Sequence, residues 1–282
     1  MTLAGARSSM TGLLVGLLLL AGCATDTDPG GTSPASPSAT SSASARGVEL
    51  SPAVPARPLT GMVVVLDPGH QLGNGHHGGE INDPVDAGGF EKACNTTGTA
   101  TDAGFPEATF TWEVATRMRS MLRRLGARVV MTRDGNSDEE WGPCVDVRGS
   151  IGNPGEGRPV GDVRISIHAD GVRGDAATGF HVIRPGGLDG WTDDIEADSA
   201  VLADDVRDAL VAGGWHPSTY RGVDGVDVRT DLGTLNRSDI PAVMVELGNM
   251  RDAGEGAVMA TSAGQGRYAR ALVAGVRAWL TR

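Results

Sequence analysis

The stretch VVVLDPGH, Val63–His70, decides how the rest of the chain is read. Its apolar, β-branched first half has the length of a buried strand, and the Asp-Pro-Gly that follows reads as a turn. A histidine is thereby delivered just past a strand end. In VRISIH, Val163, Ile165 and Ile167 alternate with Arg164, Ser166 and His168, which is strand period two. AVMVELGN (242–249) is a third strand-like run and carries Glu246. In FPEATFTW (105–112), Pro106 suits a first helical turn, where its missing N–H costs nothing. From there Glu107, Phe110, Val114, Met118, Met121, Leu122 and Leu125 share one helical face. Glu113 lies opposite, with Arg117, Ser120 and Arg124, as a solvated i,i+4 ion-pair face.

These elements predict an α/β domain of three layers, a mostly parallel central sheet flanked by helices. Strands are expected near 62–67, 127–132, 162–168, 179–184 and 242–247, and helices near 107–125, 145–153, 194–213 and 264–281. In open α/β sheets the carboxyl ends of the strands form the binding rim, so parallel strands would bring His70, His168 and Glu246 together there. Glu107 reaches the same side from its helix. Two imidazoles and a carboxylate are a donor set suited to catalytic Zn²⁺, with Glu246 left for proton transfer. A lone histidine after a strand, or a lone glutamate in a first helical turn, is ordinarily structural; four such placements together carry the argument.

The set resembles the zinc-dependent N-acetylmuramoyl-L-alanine amidases of the amidase type 3 family. The resemblance rests on DPGH, the helix-opening Glu107, LGARVVMTR (125–133), Arg148 to Asn153, SIHA and VELG in order, and covers roughly Met62 to Leu280. It implies metal ligation by His70, Glu107 and His168, with Glu246 as catalytic acid and base. It also implies peptidoglycan as substrate, hydrolysed at the amide between the lactyl group of N-acetylmuramic acid and L-alanine. Arg148, Arg221 and Asn249 stand where the family has polar residues near its cleft. Asp67 is read either as an orienting partner of a histidine ligand or as a turn residue. Two features depart from the pattern: the connection 71–106 is unusually long, and Ala108 follows Glu107 where the family often has Lys. That connection brings His76 and His77, read as solvated rather than ligating, and its Gly content allows a lid whose release could need an activating partner. His181 and His216 are expected as packing or surface residues.

Residues 1–22 hold one charged side chain, Arg7, followed by GLLVGLLLL, and read as a secretory signal. Leu20-Ala21-Gly22-Cys23 resembles a bacterial lipobox, which implies lipidation of Cys23 and a protein anchored on the outer face of the cytoplasmic membrane. An ordinary cleaved leader with a chance Cys is the alternative. Residues 23–60, rich in Ser, Pro and Ala, read as a disordered tether with a root-mean-square reach of roughly 30–35 Å. The catalytic domain is then 61–282. Cys94 and Cys144 are left as a pair, read as a disulfide in an oxidising compartment or else as two buried thiols.

A net charge of −11 argues against nucleic acid as a partner, and 4% aromatic residues argue against a cleft lined with sugar-stacking rings. The reading is therefore an exported cell-wall amidase. Two alternatives stay open: a zinc peptidase of the stem peptide, and a non-catalytic wall-binding lipoprotein.

Overall fold

The computed structural model describes residues 56–282, apart from 156 and 175. The expected signal segment, Cys23 and the tether up to residue 55 lie outside the described residues. β1 (Val63–Pro68) leads through two 3₁₀ turns, Leu72–His76 and Glu80–Asn82, into a hairpin of β2 (Pro84–Asp86) and β3 (Glu91–Ala93). α1 (Glu107–Arg124), β4 (Arg128–Met131), α2 (Val145–Ser150), β5 (Val163–Asp170), β6 (His181–Pro185) and α3 (Glu196–Ala212) follow. The remainder is β7 (Val226–Arg229), α4 (Gly233–Asn236), β8 (Ala242–Asn249), α5 (Ala253–Met259) and α6 (Ser262–Leu280).

The central sheet has the order β4-β1-β5-β8-β6-β7. β4, β1, β5 and β8 run parallel, while β6 is antiparallel to β8 and β7 follows β6. This is the expected α/β architecture, and the nine elements read from the sequence lie within three residues of their expected bounds. The reversal at β6 has a simple cause. Among the described residues of 171–180 there is no crossover helix, and the chain returns in the opposite direction.

The two faces of the sheet are covered unequally. Val64, Leu66, Ile165, Ile167, Val243 and Val245 meet the apolar stripes of α1, α3 and α6 in one large core. Phe110, Val114, Met118 and Leu122 of α1 are wholly buried there, as are Leu202, Val206 and Leu210 of α3 and Tyr268, Leu272 and Val276 of α6. The opposite face is covered by short elements, with Val65 against Ile151 and Ile240, and Met244 against Leu235. Polar side chains are buried on this thinner side. Arg164 is 0% exposed and donates to the carbonyls of Arg148, Gly149 and Ile151, so it closes the C-terminus of α2.

Two boundaries shift from the sequence reading. The folded body begins before residue 61: Leu59 is 0% exposed in the main core, and its N–H donates to Leu125 O at 3.0 Å. Flanking Ser, Pro and Thr masked that one apolar side chain. The connection 71–106 also carries structure of its own, because Cys94 and Cys144 are bonded to each other across 50 residues. Asn236 Nδ2 donates to Ala87 O at 3.0 Å and Arg237 pairs with Asp86 at 2.9 Å, which pins the hairpin to the domain. In the chain-entropy account, closing a loop of this size contributes about 4 kcal/mol.

Leu59→Ala is expected to lower unfolding free energy by about 2–5 kcal/mol, as for other fully buried leucines. Urea denaturation checks this, and a change within about 0.5 kcal/mol would return Leu59 to the tether.

Candidate metal centre

His70, Glu107 and His168 come together at the carboxyl rim of β1 and β5. One ligand atom from each lies within 4.8 Å of the others. Glu107 Oε1 is the hub: His70 Nε2 and His168 Nδ1 each lie 3.1 Å from it. The two imidazoles meet edge to face, with centroids 4.9 Å apart. Backbone N–H groups hold the carboxylate, Ala169 donating to Oε1 at 3.1 Å and Thr99 to Oε2 at 2.9 Å. Pro106 occupies the N-cap of α1 rather than its first turn, which leaves Glu107 as the first helical residue, 4% exposed on the apolar stripe. Glu113 pairs with Arg117 on the outer face, as its position on the helix indicated.

Local geometry explains why a histidine sits at position 70. The chain turns sharply after β1, and His70 adopts φ 59°, which costs a non-glycine residue about 1–3 kcal/mol. Arg148 Nη2 donates to its carbonyl at 2.6 Å, and Thr96 O lies 3.1 Å from its Nδ1. With Nδ1–H donated to the Thr96 carbonyl, Nε2 is the nitrogen turned toward Glu107 and the cluster. Gly69 is required beside it, since a Cβ there would overlap the His168 ring.

Asp67 hydrogen-bonds to neither histidine ring and acts on the turn through Arg148. Its carboxylate, 1% exposed, accepts from Arg148 Nη1 at 2.8 Å, Thr132 Oγ1 at 2.6 Å and Ser166 Oγ at 2.6 Å. Burial pushes its pKa up, but the Arg148 charge and the two hydroxyls outweigh that and hold it well below the usual carboxylate range. Arg148 in turn donates to Pro68 O and His70 O, so it supports the turn that carries His70. Arg133 reinforces the same turn, donating to Pro68 O at 3.0 Å and Ala108 O at 2.9 Å, and its pKa falls to about 9 chiefly through burial. Sequence reading assigned Arg133 no role. The buried guanidinium is visible only once the turn it supports has been placed.

Other electrostatics follow the same logic. Glu107 is held below the carboxylate range: burial raises it, but the neighbouring His70 and His168 prevail. His70 rises: burial opposes, and Glu107 prevails. Glu246 stands opposite His168 in the β5–β8 register. Burial first, then the charges of Asp170 and Glu107, push its pKa well above normal. Its Oε2 is buried and meets no hydrogen-bond partner among the described residues. All four residues line one cavity of about 420 Å³, together with Lys92, Thr96–Thr99, Arg148, Asp170 and Thr234.

The remaining candidates fall elsewhere. Asn249 is 1% exposed and donates to Val172 O at 2.9 Å and Ala177 O at 2.7 Å, so it clamps a loop and does not face the cavity. Arg221 is exposed and outside the cavity lining. His76 and His77 tie the 71–106 segment to the carbonyls of Asp138 and Glu139 at 3.1 and 3.0 Å. His181 is buried beside Asp170, and His216 is exposed near Pro217.

A parallel sheet with a His-Glu-His cluster at its rim and a second glutamate beside it is the frame of an α/β hydrolytic enzyme. The chain belongs to the N-acetylmuramoyl-L-alanine amidase family, which it matches over residues 64–278. It is 40% identical over 225 residues to the N-acetylmuramoyl-L-alanine amidase Rv3717 of Mycobacterium tuberculosis, covering 79% of this chain and 88% of that protein. The crystal structure of the amidase Ami1 from Mycobacterium smegmatis superposes with a TM-score of 0.71 at 39% identity, over 79% of this chain and 98% of that one. The apo form of Ami1 from Mycobacterium abscessus gives 0.70 at 42% identity, over 78% and 99% of the two chains.

Because folding favours ionised Asp67, its contribution to stability is present above about pH 4 and drains as pH falls toward its lowered pKa. Asp67→Asn is expected to cost about 3–5 kcal/mol at pH 7 by leaving Arg148 unpaired, and to flatten the loss of stability between pH 5 and 2. Denaturation curves across that range check it; an unchanged slope would contradict the assignment.

Proposed function

We propose that the amidase activity of this chain is metal-assisted hydrolysis, with Zn²⁺ held by His70, Glu107 and His168. The observation that carries the reading is the single carboxylate oxygen of Glu107, 3.1 Å from a nitrogen of each imidazole. Two neutral nitrogens and a carboxylate oxygen, converging and nearly buried, suit Zn²⁺ better than a hard cation that needs six or more oxygens. When bound, the ion supplies Lewis acidity to the scissile carbonyl and to water.

The protein's own groups do the rest. Thr96 O and Arg148 orient His70, and the Thr99 and Ala169 N–H groups orient Glu107. Glu246 enters the reaction ionised, and its raised pKa makes it a stronger base toward water. It takes the proton from the attacking water and returns it to the departing amine of L-alanine. The substrate is peptidoglycan, opened between the lactyl group of N-acetylmuramic acid and L-alanine. Residues 1–22 act as the export signal, Cys23 carries the lipid anchor on the outer face of the cytoplasmic membrane, and the segment to residue 56 tethers the amidase domain within reach of the wall.

The test is the full chain acting on purified peptidoglycan, with and without chelator. New L-alanine amino termini without new reducing sugar ends are expected, lost on chelation and restored by Zn²⁺. Glu246→Ala is expected to lower kcat by about 10²–10⁴-fold. Other new amino termini would assign a stem peptidase, and chelator-resistant release would remove the metal from the account.

A further inference from the structure

Lys92 is the only lysine in the 282-residue chain, against 23 arginines. It projects from β3 and lines the cavity that holds His70, Glu107, His168 and Glu246. Four of the other charged groups in that lining are carboxylates, Asp67, Glu107, Asp170 and Glu246, and the one other cation is Arg148. Arg148 is 2% exposed and already donates to Pro143 O, Asp67, Pro68 O and His70 O, so it has little left for a ligand. Lys92 is half-buried and donates one N–H to Asp231 O at 2.7 Å. The nearby Asp231 carboxylate is engaged by Arg229 at 2.8 and 2.6 Å. An ammonium has three donors, so two remain for whatever enters the cavity.

The hairpin that carries Lys92 is tied to the domain through both of its arms. The Cys94–Cys144 bond lies two residues beyond Lys92, and the other arm of the hairpin is held by Asn236 and Arg237. Little loop entropy is then lost on binding.

We propose that Lys92 is a specificity-determining residue that binds the α-carboxylate of the stem residue following L-alanine, and so separates stems in which that carboxyl is free from stems in which it is an amide. This rests on the amidase reading above. An amide at that place loses the charge-assisted bond, and elsewhere in the cavity Asp170 and the ionised Glu246 would repel a negatively charged stem. The free acid therefore binds in one orientation, with its negative end at Lys92 and its scissile amide toward Glu246.

The experiment compares two probes, the γ-methylamide of N-acetylmuramoyl-L-alanyl-D-isoglutamine and the same γ-methylamide with a free α-carboxyl, so that only the second carries a stem carboxylate, by kcat/KM for release of the peptide. The wild-type protein is expected to favour the acid about tenfold, a preference that shrinks at high salt. Lys92→Met is expected to bring the ratio to about one by slowing the acid only, while Lys92→Arg keeps a preference for it. Equal rates on both probes by the wild-type protein overturn the inference and leave the amidase reading standing, and this comparison holds even if Lys92→Met does not fold. A preference that survives in folded Lys92→Met also overturns it. Cleavage of neither probe overturns both readings together.

Discussion

The buried ion pair between Asp67 and Arg148, 2.8 Å apart and closed off from water, is the contact on which the site depends. Two charges at such depth are costly unless every lone pair and N–H finds a partner. Here most do: Thr132 and Ser166 also donate to Asp67, and the carbonyls of Pro143, Pro68 and His70 accept from Arg148. The pair joins the end of β1, the centre of β5 and the short helix α2. It also holds the backbone of His70 in a conformation that residue would not adopt alone.

β5 shows how one strand serves both stability and chemistry. Its apolar residues, Val163, Ile165 and Ile167, enter the large core beneath α1. Its polar residues point to the thinner face, where each has a different task. Arg164 closes α2, Ser166 completes Asp67, and His168 joins the cluster around Glu107. A helix packed over this face would cover the rim. The short α2 and α4 leave it open, and the disulfide-bonded hairpin walls one side of the resulting cavity.

Much of this was legible in the sequence where a strong period met a special residue. DPGH after a β-branched run placed His70, period two in VRISIH placed His168, and the apolar stripe beginning at Glu107 separated it from Glu113. What escaped were features set by distant partners. Asp67 and Arg148 carry no local sign that they pair across 81 positions, and Asn249 looked like a cleft residue until its amide was seen clamping Val172 and Ala177. β2 and β3 are three residues each and half exposed, too short for alternation to register. Leu59 stood alone among Ser, Pro and Thr, and a single apolar side chain has no period.

The account's central claim is that His70, Glu107 and His168 form one metal site. Anomalous diffraction at the zinc edge, from crystals of the protein grown with Zn²⁺, tests it most directly. A single strong peak is predicted within about 2.0–2.2 Å of a nitrogen of each histidine and an oxygen of Glu107. A peak at His76, His77 or His216 with the triad left bare would contradict it.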